Sequence, residues 1–432
     1  MRTLRFVALV IVVSPATDLG CGEFNPDVIR GRPPSEPDTG LQSVDADAIP
    51  DAAADVGLPD VAPVGPEMTG LHVVANRIVN GGGQPVVLHG VNRSGTEYRC
   101  VQGGGIFEGP SDEASVQAIV AWKASAVRIP LNESCWLGIN NAPAIYSGDH
   151  YKNAIENYVT LLHKYHIVPI LELHWVGPGL TLALGQQPMP DADHARDFWT
   201  DVATAFRDDD GVVFEPFNEP YPSASNVSGT NTPWQCWRDG CSMVRPSLPR
   251  GVTGPSQAYT AVGMQALVDA IRRAEAGVAH VILLGGLQYS NDLSQWLAYE
   301  PSDPAKNIGA AWHIYNNNQC RDATCWNTAP AAVAALFPIV ATEIGENDCV
   351  GTFIAPLMQW LDASGSTARA PSGYLAWSWN AFGTCRNAQY DPDSGSSLPG
   401  QPYSLIADYV SGAPNGTDGS YAQVYHDHIA AF

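Results

Sequence analysis

The chain has 432 residues, 45% hydrophobic and 15% charged, enough apolar material for one large domain or two ordinary ones. Its formal net charge is −22 and no basic patch stands out, which excludes nucleic acid as an expected partner and disfavours an anionic substrate. A neutral ligand suits this field, and 12 Trp with 16 Tyr supply faces for stacking on uncharged rings.

The first residues, MRTLRFVALVIVV, read as an export signal, with Arg2 and Arg5 ahead of an apolar core from Phe6 to Val13 that is too short to span a bilayer. Leu19-Gly20-Cys21 resembles the end of a bacterial lipobox, so lipidation of Cys21 is weighed beside simple secretion, with Asp18 an ill-suited neighbour for that motif. The expectation is a signal over 1–21 and a protein exported to the medium or the outer cell surface. Residues 22–66 are rich in Pro, Asp and Ala, with no aromatic residue after Phe24. Such a composition buries too little apolar surface to offset the entropy of ordering, which predicts a disordered acidic tether.

The folded domain is expected over 67–432. LHVVANRIV and PVVLHGVN flank a Gly-rich turn, and from there short apolar strands alternate with helical stretches. The expected barrel strands are 86–92, 126–131, 168–175, 212–219, 280–286, 309–315, 338–345 and 374–380. Helices are expected in SDEASVQAIVAWKA, capped by Ser111 or Asp112, from Asp149 to about His166, in DADHARDFWTDVATAFR, and in QAYTAVGMQALVDAIRRAEAG, closed by Gly277. Eight such units predict an α/β fold, a (β/α)8 TIM barrel with enlarged βα loops. A doubly wound sheet would need a Gly-rich phosphate turn after its first strand, and GVNRSG is not one.

Beside Cys21 the chain has eight cysteines, an even number in an exported protein, so disulfides are expected to staple the loops. The expected pairs are 236 with 241, 320 with 325, 100 with 135, and 349 with 385, although connectivity is not determined by sequence. No CxxC occurs, which weighs against a cysteine metal site.

Polar residues cluster at the expected C-terminal ends of strands, where a barrel places its chemistry. They are Arg128, His174 before Trp175, Asn218-Glu219 in VVFEPFNEP, His313-Ile314-Tyr315, Glu343 in ATEIG, and Trp377 and Trp379. Each has a plain structural reading alone, as core histidine, ion-pair arginine or packed tryptophan. Together they supply what glycosidic cleavage with retention requires: one carboxyl to protonate the leaving oxygen and one carboxylate to attack the anomeric carbon, roughly 5–5.5 Å apart. Strands four and seven lie nearly opposite on such a barrel, so Glu219 and Glu343 are the expected pair. Arg128 and the Tyr315 hydroxyl are placed to keep Glu343 ionised, burial and the neighbouring negative charge to keep Glu219 protonated, and His174, Asn218 and His313 to supply hydrogen bonds.

The same residues, in order and spacing over roughly Gly70 to Asn380, resemble glycoside hydrolase family 5, the cellulase-type barrels. The resemblance implies Glu219 as acid/base and Glu343 as nucleophile, with Trp377 (or, secondarily, Trp379) under the cleaved sugar. It also implies substrate contacts from Arg128, His174, Asn218, His313 and Tyr315, and no cofactor or metal. The expected activity is a retaining endo-β-1,4-glucanase, with a β-mannanase, an exo-acting β-glycosidase, a non-catalytic carbohydrate-binding barrel and a metal-dependent hydrolase as alternatives. A monomer acting on polysaccharide or oligosaccharide is expected.

Departures bear on substrate. Arg93-Ser94-Gly95 replaces the Trp that several members carry, and Arg93 is expected to pair with Glu97 or to form a polar wall. The insertion from Tyr221 to Pro255, with Trp234 and Trp237, and the segment carrying Cys320, Cys325 and Trp326 are read as aromatic subsite walls. Glu346 is the rival nucleophile should the register of strand seven differ, and Glu97, Glu133 and Asp348 also stand near strand ends. Asp391-Pro-Asp393-Ser-Gly395 hints at a calcium loop but lacks a third oxygen ligand and the distal Glu. His163 and His166 are read as surface residues, and no G-x-S-x-G offers a serine nucleophile.

Overall fold

The computed structural model describes residues 68–244, 258–275, 277–363, 373–383, 389–391, 396–398 and 403–432. The export signal, the acidic tether, Cys385 and the Asp393–Gly395 part of the calcium motif lie outside these residues.

Eight parallel strands close into a barrel: β1 (His89–Asn92), β2 (Ala126–Asn132), β3 (Val168–Trp175), β4 (Val213–Glu215), β5 (Val281–Gly285), β6 (Ile308–Tyr315), β7 (Ile339–Gly345) and β8 (Gly373–Ala376). They pair in chain order, and β8 closes on β1 through Tyr374 opposite His89. The apolar runs are explained by burial on both faces. Val127, Ile129 and Leu131 of β2 and Leu171 and Leu173 of β3 point outward into the core shared with the helices. The alternate residues Ala126, Val168 and Ile170 point inward, with Val213, Val281, Leu283, Ala311, Val340 and Leu375.

The inward side changes character along the axis. Its lower half is apolar and is closed by a small antiparallel sheet (His72–Val74, Arg77–Val79, Pro85–Val86) whose Ile78 and Val86, with Leu71, join the inner core. Its upper half carries Asn92, Arg128, Glu172, Glu215, His313 and Glu343, all buried. The apolar floor leaves the polar layer above it shielded from water.

Several element boundaries differ from expectation for identifiable reasons. β1 begins at His89 because Pro85–Val86 pairs into the small sheet. β4 stops at Glu215, since Pro216 has no N–H to give a ladder, and Asn218 and Glu219 stand in the turn beyond. The 257–277 stretch is not one helix. Ala258–Ala261 is a strand antiparallel to Cys241–Val244, with alternating burial, and the helix runs only over Met264–Ala274. The 149 helix ends at Lys164, with His166 at φ 57° beyond it. Asp112 caps Glu113–Ala121 by accepting from the Ser115 N–H at 3.0 Å. Three expected disulfides are present, Cys100–Cys135, Cys236–Cys241 and Cys320–Cys325.

Candidate active site

Arg128 is the hub. Its side chain is fully buried, and all five guanidinium donors are committed. Nε and one Nη2 donor form a fork on Glu215 at 2.8 and 3.1 Å, and the second Nη2 donor reaches Asn218 Oδ1 at 2.8 Å. Nη1 donates to Glu343 Oε1 at 2.7 Å and to Asn92 Oδ1 at 3.0 Å. Glu172 stands 3.6 Å away. One cation in a dry site thus faces three carboxylates, which hold its pKa well above the ordinary arginine value despite burial.

Glu343 owes its aim to an irregularity. Ala311 pairs with Val340 and His313 with Glu343, so β7 has one residue more than β6 between these pairs. Strict alternation from inward-facing Val340 would send Glu343 to the outer face, and the bulge turns it inward beside Thr342. Its second oxygen accepts the Tyr315 hydroxyl at 2.6 Å, and His313 Nδ1 lies 3.6 Å away. Burial opposes ionisation, but His313 and Arg128, aided by the Tyr315 hydrogen bond, outweigh it and hold the Glu343 carboxyl below the usual carboxylate range.

Glu219 Oε1 lies 2.9 Å from His313 Nδ1. Glu219, His313 and Glu343 each offer an atom within 4.8 Å of the others, so the two carboxyls meet at one site, as glycosidic cleavage by a carboxyl pair requires. His313 binds Thr342 Oγ1 through Nε2 at 3.1 Å, and although burial disfavours its charge, Glu343, Glu215 and Glu219 push its pKa up to about 10. A metal would find three donors here at bonding spacing, but with His313 protonated and Glu343 paired to Arg128, the positive charge that such donors would balance is already supplied by the protein.

Around this pair, the Asn218 amide is oriented by Arg128 on its oxygen, so its NH2 faces Gln186 Oε1 at 3.1 Å and His174 Nε2 at 3.3 Å. That arrangement makes Nε2 an acceptor and places the His174 proton on Nδ1, 2.5 Å from Glu172 Oε1. Trp377, half-buried, stacks on His174 at 5.7 Å and 20°. Trp379 is buried and packs edge-on against Trp122, away from this group.

The structure therefore brings Arg128, His174, Asn218, Glu219, His313, Tyr315, Glu343 and Trp377 into one cluster. Others lie elsewhere. Arg93 does not pair with Glu97. It is buried between the Phe107 and Tyr409 rings and donates to the Ser94 and Pro110 carbonyls, while Glu97 accepts from the Gly95 N–H. Glu346 faces away and accepts the Phe353 and Ile354 N–H groups. Trp234, Trp237 and Trp326 are buried core, not exposed walls, with Trp237 donating to the Gly285 carbonyl. His163 pairs with Asp209. Sequence reading missed Glu172, Glu215, Asn92, Thr342 and Gln186. For the two glutamates a signal existed, since VPILELHW and VVFEPFNE each carry a carboxylate at an inward, period-two position of an otherwise apolar strand.

A closed (β/α)8 barrel with two facing carboxyls at the C-terminal ends of strands is the architecture of a glycoside hydrolase. Residues 79–383 match the family model "Cellulase (glycosyl hydrolase family 5)", and the chain belongs to that family. It is 24% identical over 326 residues to a mannan endo-1,4-beta-mannosidase from Streptomyces lividans, covering 73% of this chain and 67% of that one. A Microbulbifer endoglucanase is 28% identical over 162 residues, 37% of this chain and 26% of its own. Among solved structures, a beta-glucanase from Saccharophagus degradans in complex with cellotetraose shares the fold with TM-score 0.56 at 17% identity, over 87% of this chain and 98% of that one. A beta-mannanase from Thermomonospora fusca does so with TM-score 0.52 at 17% identity, over 80% and 92%.

Proposed function

We propose that this glycoside hydrolase is a retaining endo-β-1,4-glycanase in which Glu343 is the nucleophile and Glu219 the acid/base. The observation that carries the reading is the pair itself: two buried carboxyls with oxygens within 4.8 Å, one locked to Arg128 and Tyr315 and the other held by His313. In the first step the Glu343 carboxylate bonds to the anomeric carbon as the glycosidic C–O bond breaks, and the Glu219 proton passes to the departing oxygen. In the second, Glu219 takes a proton from water as that water's oxygen displaces Glu343, restoring both groups and the β configuration. His174 fixes the Trp377 face beneath the sugar.

The substrate proposed is a β-1,4-glucan, in keeping with the family description. A β-mannan is the second reading, favoured by the S. lividans relative that aligns over most of the chain. Glu219→Gln and Glu343→Gln, assayed singly on glucan, mannan and xylan, test the assignment. Each is expected to lower kcat by at least about 10³-fold on the polysaccharide cleaved. Survival of activity in both variants sinks it.

We also propose that the enzyme is exported as a monomer and, through Cys21, tethered to a membrane by the acidic segment 22–66. The basic-apolar start, the lipobox-like Leu19-Gly20-Cys21 and the disulfide-rich domain support this. Among the described residues no helix is long and apolar enough to cross a membrane. Labelled palmitate should appear in the expressed protein and disappear with Cys21→Ser.

A further inference from the structure

His313 stands between the two carboxyls, and its second nitrogen leads away from them. Nδ1 lies 2.9 Å from Glu219 Oε1 and 3.6 Å from Glu343 Oε2. Nε2 lies 3.1 Å from Thr342 Oγ1, and that hydroxyl donates to Glu215 Oε1 at 3.3 Å. His313, Thr342 and Glu215 are fully buried, so their polar hydrogens find acceptors inside the protein. Thr342 reaches this place through the bulge that aims Glu343. Between the pairs Ala311–Val340 and His313–Glu343, β7 carries one residue more than β6, and Thr342 and Glu343 both face the site. The Thr342 carbonyl accepts Asn92 Nδ2 at 2.9 Å, which fixes the bulged peptide.

The proton positions follow from the acceptors. Burial opposes the charge on Glu215, but Arg128, with His313, outweighs it and holds that carboxyl below the usual range, so Glu215 only accepts. The Thr342 hydroxyl proton goes to that carboxylate. An Oγ1 lone pair then faces Nε2, which requires a proton on Nε2, while Nδ1 faces two carboxyls and carries the other. Both ring nitrogens are donors, and the ring is an imidazolium.

We infer that Thr342 is a positioning residue: by relaying the Glu215 carboxylate to Nε2, it keeps His313 a cation whose Nδ1–H serves whichever of the two carboxyls is charged. The inference rests on Glu343 being the nucleophile and Glu219 the acid/base. In the free enzyme the negative charge is on Glu343. When the glycosyl–Glu343 ester forms and the Glu219 proton leaves with the departing oxygen, that charge has moved to Glu219. His313 passes no proton in either step. The titratable and charged groups facing it are Glu215 on β4, Glu219 beyond β4, Glu343 on β7 and Tyr315 on its own strand, with Arg128 of β2 bonded to Glu215 and Glu343. Of the three carboxyls, Glu215 alone keeps its charge through the cycle, and the Thr342 hydroxyl connects it to the ring.

The test uses the dinitrophenyl β-glycoside of cellobiose or mannobiose, whichever the wild type accepts. Dinitrophenolate departs without a proton, so the alkaline limb of kcat/KM reports groups other than Glu219. In the wild type that limb should lie toward pH 10, where His313 loses its charge. Thr342→Val keeps the branched shape without the hydroxyl and should bring the limb down by about one pH unit. Thr342→Ser, which restores the hydroxyl, should return it to the wild-type position. A limb unmoved in Thr342→Val, or moved equally in Thr342→Ser, overturns the inference. Nitrogen NMR of histidine-labelled wild type needs no Thr342 variant to fold. It should show both His313 nitrogens protonated at pH 8, the signal being recognised by its loss in His313→Gln, and a neutral ring there overturns the inference as well. Glu219→Ala is the separate check on the reading beneath: azide should restore its turnover as a β-glycosyl azide. No azide product overturns the Glu219 assignment, and the role of Thr342 in turnover falls with it.

Discussion

Arg128 shows how much of this site hangs on one side chain. Its fork on Glu215 sets the guanidinium plane, and that plane sets Glu343, Asn92 and Asn218. Lysine keeps the charge but offers no planar fork. Arg128→Lys is therefore expected to lower kcat on the order of 10²-fold, the cost of misplacing reacting groups by about 1 Å. Arg128→Ala would leave Glu215, Glu172 and Glu343 buried without their cation and should cost about 3–5 kcal/mol of stability, read by chemical denaturation. A kcat for the lysine variant near that of wild type would show that charge alone suffices. Arg128 and Glu343 were legible in sequence because each is a charged residue in an apolar strand. Which way Glu343 points was not, because the bulge that turns it inward is a matter of pairing between β6 and β7.

At the scale of elements, the loop between β3 and the helix Ala195–Ala205 holds the surroundings of Glu219. Its Gln186 binds the Asn218 amide and donates to the Glu219 carbonyl at 2.7 Å. The loop is pinned from β2's end by Asn132 Nδ2 on the Ala183 carbonyl and Ser134 Oγ on the Ala183 N–H. A second pin is a buried acid pair. Glu133 accepts the Gly177 N–H through Oε2, Asp191 accepts the Asp193 and His194 N–H groups through Oδ1, and the remaining oxygens, Glu133 Oε1 and Asp191 Oδ2, have no hydrogen-bond partner among the described residues. Burial first, and then the Asp191 charge, push the Glu133 carboxyl well above the usual range.

A raised folded-state pKa means that the folded protein keeps this proton longer than the unfolded chain does. The stability that Glu133 contributes is whole below its ordinary value of 4.5 and is lost as pH rises toward the folded value. His313 acts in the same sense, losing its contribution from 6.5 up to about 10. The thermal midpoint should therefore fall between pH 7 and pH 9. Glu133→Gln, which has no proton to lose, should raise the midpoint at pH 9 by about 2–4 °C and change it less at pH 5. An equal difference at both pH values would rule out ionisation of Glu133 as the cause. None of this pairing is visible in sequence, where Glu133 reads as an acid near a strand end and Asp191 as the first residue of a helical stretch.

For the molecule as a whole, the alternation of strands and helices made the barrel legible, and the charge of −22 pointed to a neutral substrate. The loop tryptophans misled for a physical reason. A long βα loop must bury its own apolar residues, and Trp234 and Trp237 do so by joining the core shared with the helices, Trp237 bonding the Gly285 carbonyl. Cys100–Cys135 ties the end of β1 to the end of β2 over 35 residues, and closing a loop of that length stabilises by roughly 3–4 kcal/mol on chain-entropy grounds. Cys100→Ser with Cys135→Ser should lower the thermal midpoint measurably while leaving kcat within about threefold, because neither sulfur touches the carboxyl pair. A large loss of kcat with an unchanged midpoint would contradict that division.

The assignment of Glu343 as nucleophile is tested most directly by trapping the covalent intermediate. A 2-deoxy-2-fluoro-β-cellobiosyl or mannobiosyl fluoride slows the second step, and peptide mass spectrometry then locates the attached sugar. The structure predicts a stoichiometric label on the peptide carrying Glu343, with release of the β-anomer on reactivation. A label on Glu219 or Glu346, or turnover with no label and an α-product, would contradict it.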